Sequence, residues 1–98
     1  MEVAQRNHNN NDLNYQIGKV AAENKIQLNI GENHLRRYVT DYSAKDTLPI
    51  AWSNYRLAQI FRLQNKKSEA LKHIKLALAD LPEEELFQKE KVAILNLQ

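Results

Sequence analysis

Few residues in this sequence are of kinds that do covalent chemistry, and their spacing argues against a catalytic centre. Cysteine is absent, so the chain has no thiolate nucleophile and no thiolate metal site. It also lacks a glycine-rich phosphate loop, a His-Glu-x-x-His pair and a Gly-x-Ser-x-Gly elbow. Glu83, Glu84 and Glu85 are consecutive. Adjacent carboxylates cannot converge on the two sides of one substrate bond as acid and base, so they read as the anionic first turn of a helix. His34 and His73 fall at matching places in two similar segments, which invites a metal or pH-switch reading. No third ligand lies at ligand spacing beside either one, and the pattern predicts a solvent-facing pair. Arg36, Arg37, Lys66, Lys67, Lys72 and Lys75 have the charge to hold phosphates. Glu32, Asp41, Glu69 and Asp80 interrupt that field, and a solvated face is the expectation. The sequence therefore predicts no catalytic residue, no metal, no cofactor and no nucleic-acid partner.

The elements that must position any binding residues are helical. Leu13, Ile17, Val20 and Ala21 repeat at the helical period, with Asp12 as a possible N-cap. Leu28, Gly31, Leu35, Tyr38, Val39 and Tyr42 form a second stripe. Gly31 reads either as a close-packing residue inside this helix or as a stop signal; the stripe reaching back to Leu28 favours the first. The stretch 43–49 is the clearest punctuation, with Asp46 or Thr47 near a cap and Pro49 in the first turn of the next helix. That helix carries Ile50, Leu57, Ala58 and Phe61 on one face. Ser68 is a possible cap for a fourth stripe, Ala70, Leu71, Ile74, Ala77, Leu78 and Leu81. Pro82 restarts the chain into a fifth helix. The spacing predicts helices near 12–25, 27–42, 49–64, 67–80 and 83–96, no strand, and a disordered Asn-rich lead-in over 1–11. Short connections imply antiparallel neighbours.

Composition agrees with this class. The 98 residues are 43% hydrophobic and 27% charged, with a net charge of +2 and only two Gly and two Pro. A many-turned β fold needs more breakers than that, and the charge is too small to call for nucleic acid by itself. Residues 1–11 contain no apolar targeting core, and no apolar run nears the roughly 20 residues that span a bilayer. Membrane insertion is not expected, and the lack of cysteine fits a reducing, cytoplasmic setting.

The chain also resembles itself. The spacing of Ile17, Gly18 and Ala21 recurs at Leu57, Ala58 and Phe61, and that of Gly31, Leu35 and Val39 recurs at Ala70, Ile74 and Leu78. His34 and His73 are separated by the second of these intervals. Within residues 50–82, Leu57, Ala58, Phe61, Ala70, Ile74, Ala77 and Pro82 match the tetratricopeptide-repeat pattern, with Asn54 at its Trp position. The segment resembles one such repeat, and residues 12–48 resemble it more loosely. The resemblance implies an all-α fold of antiparallel helical hairpins stacked as a short right-handed superhelix. Its units would be residues 12–48, residues 49–82 and a terminal helix 83–98 within one domain, 12–98.

The resemblance further implies a concave face on the first and third helices that holds a protein or peptide. On the matched spacing its residues are Tyr15, Lys19, Glu23, Trp52, Tyr55, Gln59 and Arg62. The carboxylate clamp that some family members use for chaperone tails is not reproduced, because Tyr15 and Lys19 stand where it would place Lys and Asn. Two readings remain open: a protein- or peptide-binding scaffold, or a structural, oligomerising module with no ligand of its own. Val92 and Leu95 point away from the expected docking side of the last helix, and the sequence stops at Leu97-Gln98 without a helix-ending Gly. Both predict attachment to a larger chain or pairing of protomers through this end.

Overall fold

A computed structural model describes residues 2–43, 45, 46 and 48–97, giving the backbone alone for residues 2–10. Among the described residues, five helices follow one another: α1 (Glu2–Asn24), α2 (Leu28–Thr40), α3 (Ile50–Leu63), α4 (Lys67–Asp80) and α5 (Glu85–Leu95). No strand occurs among the described residues, so the fold is all-α. α1 packs on α2 and α3 on α4 as two hairpins. α3 also touches α1, α2 and α5, which makes it the central element.

α1 begins at Glu2, well ahead of the start expected at residue 12, and Asp12 lies inside it. No Pro or Gly interrupts residues 2–17, so nothing in the backbone chemistry forces a later start. A lead-in ending at Asn11 needs correcting at that boundary. Asn11 is buried, and its amide donates to the Tyr38 carbonyl at 3.2 Å and to Asp46 Oδ2 at 2.8 Å. The side chains of residues 1–10 lie outside the described residues.

Both hairpin turns close in the same way. Lys25 and Asn65 take left-handed backbone angles (φ 59° and 62°). The amide after each bonds back toward its own helix, Ile26 N to Ala21 O at 3.2 Å and Lys66 N to Phe61 O at 2.8 Å. This is the helix-ending geometry that satisfies orphan carbonyls. The first turn therefore lies at 25–27, as the spacing predicts, and α2 runs through Gly31 as the close-packing reading requires. A Cβ on Gly31 would sit 2.6 Å from Ala21 Cβ, and it would stand 3.6 Å from the Gly18 Cα. The glycines are there because α1 and α2 approach too closely for a side chain.

The longer link between hairpins is pinned by side chains. Asp46 accepts from Ser43 N at 2.8 Å in addition to Asn11, so it braces the loop and does not cap α3. Thr47, the other suggested cap, lies outside the described residues. Pro49 itself is the N-cap of α3, and Lys66, not Ser68, precedes α4. Tyr38 sends its hydroxyl to the Leu48 carbonyl at 2.7 Å. Burial and the nearby Asp46 carboxylate push that phenol up to about 12.

Candidate functional site

The two hairpins share an internal fastening. His34 Nδ1 donates to Asn14 Oδ1 at 2.8 Å, and His73 Nδ1 donates to Asn54 Oδ1 at 2.9 Å. Both histidines and both asparagines sit at repeat-equivalent positions, so the same bond joins the first helix to the second in both units. Apolar spacing singles out neither asparagine, although an Asn-Tyr pair recurs at 14–15 and 54–55 and marks them in the sequence. The solvent-facing expectation for the histidine pair is corrected here. His73 is buried, stacked on the Phe61 ring at 5.4 Å, and His34 is partly buried. An imidazole beside an apolar stripe is drawn in once a neighbouring helix offers an acceptor. Burial, then the charges of Arg36 and Lys72, lower the pKa of His73 below its usual 6.5.

The predicted concave residues fall into two groups. Tyr15 and Tyr55 belong to the core, at 4% and 6% exposure, and do not form an open surface. Tyr15 lies against Tyr38 with ring centroids 5.9 Å apart. Tyr55 is covered by Phe87 of α5 at 5.0 Å, and Trp52 meets the same Phe87 at 4.8 Å. The physical reason is α5, which lays an aromatic ring over the face of α3 that spacing alone leaves empty. Burial accordingly raises the Tyr55 pKa, against the opposing influence of Arg56.

The polar members form a connected edge. Arg56 is buried and spreads its guanidinium among three partners: Tyr15 Oη at 3.2 Å, Gln59 Oε1 at 2.9 Å and Glu23 Oε2 at 3.5 Å. It also lies over the Tyr55 ring at 4.9 Å. Gln59 donates in turn to Tyr55 Oη at 3.3 Å. Further along, Arg62 grips Glu90 of α5 through two bonds, at 2.6 and 3.2 Å. Glu23 is exposed, while Lys19, Gln59 and Arg62 are partly so. The edge thus joins α1, α3 and α5 through charged groups whose outer atoms still meet water. Arg56 and Glu90 are absent from the predicted set, because a buried charge has no signature in an apolar stripe until its partner is known.

Among the described residues, no group of three His, Asp or Glu side chains gathers to hold a metal ion, and no helix is long and apolar enough to cross a membrane. No family model, no curated protein and no solved structure matches the chain.

Proposed function

We propose that this chain is a non-catalytic, helical-repeat binding scaffold of tetratricopeptide type, which holds a protein or peptide along the polar edge of α1 and α3. The observation that supports it best is the Glu23–Arg56–Gln59 connection between helices of successive hairpins. Buried tyrosines hold Arg56 from below, so the edge is presented in one arrangement before any partner arrives, which lowers the ordering cost of binding. The repeated His–Asn fastening and the two matching turns fit a stack of equivalent units, and such stacks expose extended surfaces. Lys19, Glu23, Gln59 and Arg62 are the contact residues on this reading. Tyr15, Trp52 and Tyr55 support them.

The test is a change confined to the rim. Lys19→Glu reverses a charge on the edge at a side chain that is partly exposed. Partner recovery in affinity purification should fall by about tenfold, equivalent to about 1.4 kcal/mol, with an unchanged melting curve. Undiminished recovery of the same partner would refute the placement. The second reading, an oligomerising module, is favoured by a separate observation: aliphatic side chains lie uncovered at both ends of the stack.

A further inference from the structure

The cations of the polar edge are not equally well held. Arg62 is gripped by both oxygens of Glu90, the closer at 2.6 Å. Lys19 is partly exposed and has no hydrogen bond or ion pair among the described residues. Arg56 commits Nε to Tyr15 and Nη1 to Gln59, and Gln59 spends its own amide on Tyr55. Its remaining nitrogen, Nη2, meets the Glu23 carboxylate at 3.5 Å, a loose approach beside the Arg62–Glu90 pair.

The two poorly held cations share one place. Tyr15, Lys19 and Glu23 follow at four-residue intervals on α1 and so lie along one face of it. Arg56 of α3 bonds the first and approaches the last, so Lys19 stands between the two points that Arg56 touches. The Arg56 side chain is 10% exposed and that of Glu23 48%. A buried charge is costly unless an anion comes close to it, and the anion here is half in water on a side chain that can turn outward. The place therefore holds two positive charges against one loosely seated negative charge.

We propose, on the scaffold reading above, that an acidic side chain of the partner enters between Lys19 and Arg56 and displaces the Glu23 carboxylate from Nη2. Glu23 marks the chemistry the place takes, because a carboxylate already approaches Nη2 in the free chain. The entering carboxylate accepts from the Lys19 ammonium and from Arg56 Nη2, and Glu23 swings into water. Arg56 keeps its bonds to Tyr15 and Gln59 throughout, so the cation is in position before the partner arrives. Glu23 is then a built-in competitor, and neutralising it strengthens binding even though it belongs to the edge.

Fluorescence anisotropy on the full chain tests this, with a labelled, acetylated and amidated oligo-glutamate as probe and oligo-lysine as its control. The capped ends leave only side-chain carboxylates to bind. The parent should bind oligo-glutamate and not oligo-lysine, and more weakly as salt rises. Glu23→Gln should bind about threefold more tightly and Lys19→Gln about threefold more weakly, the scale of one exposed ion pair. Arg56→Lys keeps the charge but loses the fork, and should bind less tightly than the parent. Lys75→Gln, on the exposed side of α4, should bind as the parent does. If Arg56→Lys loses its helical signal in circular dichroism, Lys19→Gln and Glu23→Gln read the same place from side chains that reach water. Failure to bind oligo-glutamate, equal binding of a single-stranded oligonucleotide, unchanged or weaker binding by Glu23→Gln, or an equal loss from Lys75→Gln and Lys19→Gln would each overturn the proposal. If oligo-glutamate fails to bind while Lys19→Glu still lowers partner recovery, the acidic subsite falls and the scaffold stands. If oligo-glutamate binds as expected while partner recovery is undiminished, the scaffold placement falls instead.

Discussion

At the residue scale, the two tyrosines show how a binding-type side chain can be claimed by the core. Tyr55 has the composition of an interface residue, yet Phe87 and Arg56 enclose it. Tyr55→Ala should therefore lower unfolding stability by about 3 kcal/mol, the scale for deleting a buried aromatic, as read by chemical denaturation. The spacing that places Tyr55 is legible in the sequence; the ring that covers it comes from the last helix, distant along the chain, and is not. His73 leads to a pH prediction. Its folded-state pKa lies below 6.5, so the unfolded chain takes up a proton first as pH falls. Stability should hold above pH 6.5 and decline below it, and His73→Gln should flatten that decline in denaturation midpoints measured across the range. A parent midpoint that rises on acidification through this window would contradict the buried, neutral imidazole. Arg36 on α2, Lys72 and Glu69 on α4 and Glu32 on α2 are the charges acting on it.

At the element scale, helix type and helix order follow from apolar period, and the structure keeps both. What period cannot supply is the reason for an end. Lys25 and Asn65 stop α1 and α3 in a conformation for which Gly is the usual signal, so only the gap in the stripe marks these ends in the sequence. Gly31, by contrast, carries its meaning in its position: a small residue within a stripe where two helices cross. Gly31→Ala should destabilise by about 1–3 kcal/mol, since Ala21 Cβ is fixed to its own helix and Ile60 Cδ1 stands 3.2 Å away. A melting temperature at or above the parent's would mean that the helices have room to part. The docking of α5 rests on Phe87 and Ile94 and on the Arg62–Glu90 pair. Glu90→Ala should cost about 2–3 kcal/mol in denaturation measurements, less than for a fully buried pair because Arg62 keeps contact with water. Phe87, Glu90 and Ile94 turn inward together, and Leu86 is left on the exposed side of this last helix.

At the scale of the whole molecule, two hairpins and a fifth helix form one elongated body of 51 × 28 × 18 Å. Each hairpin repeats the same turn and the same His–Asn bond, and the charged edge crosses from one unit to the next. The stack is legible from residues that recur at a near-constant interval, because recurrence reports equivalent positions whatever their depth. The polar edge is less legible, because it depends on which side chains α5 leaves open. On the proposed function, a protein or peptide partner lies along the open polar edge. Site-specific photocrosslinking tests it most directly, with a photoreactive residue placed in turn at Lys19, at Gln59 and at Ala79 on the exposed side of α4. One common crosslinked protein is expected from Lys19 and Gln59, and none of it from Ala79. Equal capture from all three positions, or capture from Ala79 alone, would contradict it.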